Sequence, residues 1–262
     1  MGILERTDEG RVAHLRMNTP EKLNALSDAM LEALQEAFME LGGDQSIGAV
    51  TLSGAGKAFC AGHDLKEIQA GRQHADGGAA YFGDLFARCS SVMKAIRTLP
   101  QPVIAVPHGI ATAAGCQLVA TCDMAVAAEG TKFGVNGVNI GLFCSTPMVA
   151  LSRNITRKQA FEMLTTGEFI ETDRAIALGL INRAAPMDQL FDAASELAQK
   201  VAGKLPAAVR IGKEAFYNQI EMGIADAYAY TGDVMVQNMM LRDTEEGIRA
   251  FIEKRPPDWS PE

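Results

Sequence analysis

The stretch from Ala49 to Lys66 limits what this chain can fold into more than any other. Ala49, Val50, Thr51 and Leu52 make a short apolar run of the kind that forms a buried strand. Gly54-Ala-Gly-Lys-Ala-Phe-Cys-Ala-Gly-His-Asp-Leu-Lys66 follows and passes into charged, helix-compatible residues. The order is therefore strand, Gly-rich loop, helix. The first N–H groups of a helix have no intrahelical acceptor and sit at the positive end of its dipole, so such a junction can hold a phosphate or a developing oxyanion. A second junction follows the same plan. Val103 to Val106, between Pro102 and Pro107, reads as a buried strand, and the small residues of His108-Gly-Ile-Ala-Thr-Ala-Ala-Gly-Cys-Gln117 lead to a helix starting near Ala114.

The spacing predicts alternating strands and helices around these junctions. Arg11 to Met17 alternates as a half-buried strand. Ser27 caps a helix carrying Met30, Leu31, Leu34, Phe38 and Leu41, which Gly42-Gly43 ends. Gln69 to Gly78 reads as a loop, and Tyr81 to Ile96 as an amphipathic helix. Met124 to Ala127 is a strand, Phe133 to Cys144 turn-like, and Leu180 to Asn182 a further strand. Helices are expected at Met148 to Arg153, Lys158 to Leu164, Asp173 to Leu178, Asp188 to Val201, Pro206 to Glu221 and Ile224 to Leu241. A last one starts at Asp243 as N-cap, with Glu246 three residues on, and ends before Pro256-Pro257. The class is α/β, with a mixed core over 1–200 and an all-helical region over 201–262.

Several functions fall away. A net charge of −8 over 262 residues offers no long-range attraction to nucleic acid or an anionic membrane. No apolar run approaches eighteen residues, and Met1 to Gly10 has neither a signal core nor an Arg-rich transit pattern, so the expected setting is the cytoplasm. Five irregularly spaced cysteines read as reduced thiols, and Cys116 and Cys122 lack zinc-site spacing, so no metal is expected. Gly54 to Ala58 fails the phosphate-loop pattern, and Phe59 stands where G-x-G-x-x-G needs its third glycine. There is no G-x-S-x-G and no H-E-x-x-H. What remains is a pair of separated backbone N–H groups, one per junction, aimed at one carbonyl oxygen.

These motifs resemble a known family. Gly56 to Glu67 is similar to the first signature of the crotonase, or enoyl-CoA hydratase/isomerase, family, and Pro102 to Leu118 with Asp123 to its second. Glu21-Lys-Leu-Asn-Ala-Leu26, Thr166-Gly-Glu-Phe-Ile170, Ala177-Leu-Gly-Leu-Ile181 and Phe251-Ile-Glu-Lys-Arg255 follow the family order. Gly141 to Arg153 resembles the subgroup called enoyl-CoA hydratase domain-containing protein 3. The resemblance implies a spiral of strand-strand-helix repeats with a C-terminal helical region that makes trimers or dimers of trimers. It places the backbone N–H groups of His63 and Ala114 at the oxyanion hole for an acyl-CoA thioester. Lys22, Leu23, Ala61, Asp64, Leu65 and Lys66 would border the coenzyme A, which belongs to the substrate and is no separate cofactor. Phe251 and Lys254 would reach it near a subunit boundary.

The same resemblance exposes a gap. The family's two catalytic glutamates fall on Gln117 and Gly137, and a third carboxylate position falls near Ser145. An amide does not titrate usefully, a glycine has no side chain, and no Asp or Glu lies between Thr131 and Asn154. An acyl-CoA-binding enzyme that stabilises an enolate is the first expectation, and a silent acyl-CoA binder the second. Candidates for the missing acid or base are His63, Cys144 and Asp64. The expectation for each is modest: a loop histidine pointing to solvent, a buried thiol and a helix cap.

Overall fold

The computed structural model describes residues 2–259. In chain order these form β1 (Leu4–Glu9), β2 (Val12–Met17), α1 (Asp28–Gly43), β3 (Ala49–Gly54), α2 (Leu65–Gly71), α3 (Ala79–Thr98) and β4 (Val103–Val106). Then come β5 (Ile110–Thr112), α4 (Ala114–Thr121), β6 (Met124–Ala128), β7 (Lys132–Gly134), α5 (Pro147–Asn154), α6 (Arg157–Thr166) and β8 (Ile170–Glu171). The chain continues with α7 (Thr172–Leu178), β9 (Arg183–Ala185), α8 (Leu190–Ala202), α9 (Pro206–Gln219), α10 (Ile224–Met239) and α11 (Arg242–Glu253).

The strands make two sheets. The larger has the order β1-β2-β3-β4-β6-β9, antiparallel at the β1–β2 edge and parallel beyond it. The smaller is β5-β7-β8. The spiral follows from this division: β4 joins the large sheet, β5 the small one and α4 follows, then β6, β7 and α5 repeat the turn. Strands buried on both faces explain the continuous apolar runs. Val50, Val103, Ala105 and Ala125 face the main core, which includes α1 and α3 residues such as Leu34, Phe38, Leu85 and Ile96. Their neighbours Ala49, Ile104, Val106 and Val126 face the other way, onto Leu190, Ala194, Leu197 and Ala198 of α8.

One ion pair ties α9 to this core. The Lys213 ammonium is buried, donating to the Ile96 and Gln101 carbonyls at 2.9 and 3.0 Å and to Asp123 Oδ2 at 2.7 Å. Asp123 also accepts from the Val103 N–H at 2.6 Å and the Tyr217 hydroxyl at 2.8 Å. Burial pushes the lysine's proton affinity down, and Asp123 opposes that shift.

Some local expectations change. The strand expected at Leu180 to Asn182 lies at Arg183–Ala185. Leu180 and Ile181 plug the core, and only Asn182 begins the pairing, through Ala125. The final helix starts at Arg242 with Leu241 before it, so Asp243 sits buried in the first turn and is not the cap. Helix α2, expected after the first junction, runs on through Gln69 to Gly71 of the expected loop, and α8 starts at Leu190 after a short 3-10 turn. Strands β1, β5, β7 and β8 are additions.

Asp123→Ala leaves a buried, unpaired ammonium. Urea unfolding is expected to show a loss of about 3–5 kcal/mol, with Asp123→Asn losing less because a hydrogen-bond partner remains.

Candidate functional site

The two junctions meet at the ends of adjacent parallel strands β3 and β4. Cys60 pairs with the second junction: its N–H donates to the Ile110 carbonyl at 3.2 Å and its carbonyl accepts from the Thr112 N–H at 3.0 Å. Closer contact follows at the glycines. Gly62 has φ of +89°, and a Cβ there would lie 3.0 Å from Ala113 Cβ and 3.5 Å from the Ala114 nitrogen. A Cβ on Gly115 would strike the Cys60 carbonyl. Neither the His63 N–H nor the Ala114 N–H meets an acceptor among the described residues. Two free donors thus stand on facing backbones. Ala113, just before them, has φ of +49° and ψ of −118°, costly for a residue with a Cβ and a feature of ligand sites.

Asn24 fixes the first loop from below. This buried side chain donates from Nδ2 to the Ala55 and Ala58 carbonyls, both at 2.8 Å, and accepts the Thr19 N–H at 2.9 Å. In the sequence Asn24 is one residue of the Glu21 to Leu26 motif with no role assigned to it. Its left-handed backbone, φ of +52°, was the one available signal only after folding.

Asp64 caps α2, accepting the Lys66 N–H at 2.9 Å, and pairs with the Lys22 ammonium at 3.1 Å. Burial pushes its carboxyl up, but those two donors outweigh it and hold it below the usual range. Leu23, in a left-handed turn, accepts the Ala61 N–H at 3.0 Å. Lys22, Leu23, Ala61, Asp64, Leu65 and Lys66 therefore share one neighbourhood, with Lys22, Leu65 and Lys66 exposed. Phe251 and Lys254 do not join it by any hydrogen bond or ion pair; they lie exposed on and just after α11.

The His63 ring is turned inward, against the expectation of a solvent-facing histidine. Its Nδ1 lies 3.2 Å from the Leu26 carbonyl, it makes a T-shaped contact with Phe86 at 5.8 Å between ring centroids, and Nε2 is buried without a partner among the described residues. Burial is the main reason its proton affinity falls below the ordinary value of 6.5; the Arg88 guanidinium adds to this, while the Leu26 carbonyl and Asp28 oppose it.

Gln117 lies one turn into α4, only 5% exposed, with Oε1 unpartnered among the described residues. Gly137 sits in a 3-10 turn laced to the second junction: Ala113 N–H donates to Gly134, Thr112 to Asn136 at 2.6 Å, and Gly137 N–H to Cys144 Sγ at 3.4 Å. A Cβ at Gly137 would strike the Leu142 carbonyl and come within 2.8 Å of Cys144 Sγ. Cys144 is a buried free thiol that burial pushes up, and Ser145 is exposed. No metal-binding cluster occurs, and no helix is long and apolar enough to cross a membrane, among the described residues.

Residues 7–262 match the family model described as enoyl-CoA hydratase/isomerase. An enoyl-CoA hydratase structure from Mycobacterium smegmatis is 53% identical with a TM-score of 0.94, covering 99% of each chain. The chain belongs to the enoyl-CoA hydratase/isomerase, or crotonase, family. Within it, the rat protein named enoyl-CoA hydratase domain-containing protein 3, mitochondrial, is 43% identical over 249 residues, 95% of this chain and 81% of its own length. The human structure of that name is 41% identical with a TM-score of 0.94, covering 98% of this chain and 100% of its own. These relatives overturn the cytoplasmic expectation, because the rat and human proteins are named as mitochondrial. Composition carried no signal of compartment.

Two measurements check the geometry. Gly115→Ala is expected to lose about 1–3 kcal/mol in urea by overpacking against Cys60, whereas Gly83→Ala, on an open face of α3, gains up to about 1 kcal/mol. In the folded chain His63 takes up a proton less readily than in the unfolded one. Its contribution to stability should therefore fall as pH drops below about 6.5, with a slope of at most about 1.4 kcal/mol per pH unit, and His63→Gln should remove that slope.

Proposed function

We propose that the chain binds an acyl-CoA thioester and stabilises its enolate between the His63 and Ala114 N–H groups. The observation that carries this reading is the pair of unpartnered donors on facing backbones, Gly62 against Ala114. A thioester carbonyl gains negative charge on becoming an enolate, so two fixed donors bind it more tightly in the transition state than in the ground state. Such a donor contributes about 2.7–4 kcal/mol in a protease measured by mutation. Lys22 and Lys66, exposed beside the loop, supply local positive charge for the nucleotide phosphates of coenzyme A on an otherwise acidic protein. Family membership supports the thioester as ligand.

Hydration by two glutamates is not part of this proposal. Gln117 and Gly137 stand at those positions, and the space beside Gly137 is filled by the Leu142 carbonyl and Cys144. That filled space favours a second reading, an acyl-CoA binder without turnover.

The assembly is proposed as a homotrimer or a dimer of trimers. Ile224, Met240, Phe251 and Ile252 on and around α10 and α11 are exposed apolar side chains, Phe251 at 85%, which a second copy of the chain would cover. Phe251 and Lys254 would then approach a neighbour's coenzyme A.

Incubation with crotonyl-CoA and with a saturated acyl-CoA in heavy water separates the readings. Deuterium at C2 above the buffer rate is expected; tight binding of both thioesters with neither hydration nor exchange would leave the silent binder. Gln117→Glu, which needs no new space, should raise crotonyl-CoA hydration, while adding Gly137→Glu should cost stability through the clash with Leu142.

A further inference from the structure

Turnover through an enolate requires a group that removes a proton from carbon, and the polar side chains around the two free donors are nearly all engaged. Asp64 holds the Lys66 N–H and Lys22. Asp28 accepts Arg88 Nη2 at 2.6 Å and faces the Tyr81 hydroxyl at 3.4 Å, and Glu67 accepts the Asp28 N–H at 2.8 Å. The Cys144 sulfur accepts the Gly137 N–H, and burial keeps it a thiol. Gln117 does not titrate.

We propose that His63 is the base: its Nε2 takes a proton from C2 of the acyl thioester whose carbonyl its own N–H holds. The inference rests on the acyl-CoA reading above. The Leu26 carbonyl can only accept, so Nδ1 carries the ring hydrogen and Nε2 keeps its lone pair in the neutral imidazole. That lone pair is buried with no donor among the described residues, and an unmet buried acceptor costs free energy unless a ligand or reaction uses it. Phe86 meets the ring in a T-shaped contact, with centroids 5.8 Å apart. Donor and base belong to one residue, so the ring lies within a side chain's length of the held carbonyl. His108 also has a bare buried nitrogen, Nδ1, but its Nε2 binds the Gly56 carbonyl at 2.8 Å, at the far end of the loop from Ala114.

The step balances without any redox partner. The C2–H bond breaks and its electron pair forms the C1–C2 double bond of the enolate, whose oxygen accepts the His63 and Ala114 N–H groups. The proton goes to Nε2, giving an imidazolium. Returning it to C2 after exchange with solvent gives isotope exchange, and delivering it to another carbon of a conjugated enolate gives a double-bond shift. The charged groups near the ring are Asp28 from α1 and Arg88 from α3, with Glu67 of α2 and Tyr81 of α3 in the same cluster. The carboxylate favours the imidazolium, whereas the guanidinium and burial oppose it, and burial dominates.

The test is C2 exchange of butyryl-CoA in heavy water, run beside calorimetric binding of the same thioester. His63→Gln should lose exchange by about 100-fold or more while binding butyryl-CoA within a few-fold of the natural chain. Imidazole in the medium should restore part of the exchange to His63→Ala, which a purely structural role would not do. The rate of the natural chain should be flat above pH 6.5 and fall on the acid side, as neutral Nε2 is consumed. Unchanged exchange in His63→Gln, or loss in His108→Gln instead, overturns the assignment and leaves the enolate reading standing. Binding without exchange in the natural chain overturns the base and the enolate but leaves an acyl-CoA binder. No binding sinks the acyl-CoA reading itself.

Discussion

The site depends on a two-rung backbone ladder between Cys60 and residues Ile110 to Thr112. Each rung is an ordinary hydrogen bond of about 1 kcal/mol net; its importance is geometric. Parallel pairing of β3 with β4 delivers two loops to the same end of the sheet, and the ladder continues that register beyond the strands. Gly115 permits it, since any side chain there would enter the Cys60 carbonyl, and Gly62 lets the loop then turn toward Ala114. Asn24 holds the first loop by its own carbonyls, leaving N–H groups outward. The two free donors stand where the loops are brought together, between the N–H groups of Cys60, Ala61, Thr112 and Ala113, which have backbone acceptors.

Much of this was legible in the sequence because it is local. Helical spacing from Met30 to Leu41 and from Tyr81 to Ile96 identifies faces that pack on the sheet, and Ser27 caps α1 as its type suggests, its hydroxyl accepting from Met30 N–H. The strands β3 and β4 show as apolar runs because they are covered on both faces. Strand β1 was hidden because it is an edge whose residues Arg6 to Glu9 stay exposed, leaving no alternation to read. Strands β5, β7 and β8 span two or three residues and exist by pairing across the chain. Leu180 and Ile181 misled for the opposite reason: they are apolar because they fill the core, not because they join the ladder.

The site divides in the same way. The glycines and small residues of both junctions mark close backbone approach in any sequence, and the cap at Asp64 follows from residue type. The inward turn of His63 could not be read, since Leu26, Phe86, Asp28 and Arg88 reach it from three other segments. Loop position alone gives a histidine no reason to leave water. What removes it is a carbonyl 37 residues upstream and an aromatic ring on α3.

Gly137 and His63 together make one physical point about where chemistry can occur. Beside Gly137, the volume a longer side chain would need is occupied by the Leu142 carbonyl and the Cys144 sulfur, and the amide of Gln117 on α4 carries no titratable proton. On the α2 side, a neutral imidazole keeps a lone pair that packing has not used. Polar groups buried without partners are unstable unless something else satisfies them, and packing voids are filled when nothing else needs them. The filled space beside Gly137 and the unmet nitrogen of His63 are therefore opposite outcomes of one constraint, and the proton transfer proposed for His63 draws on the second of them.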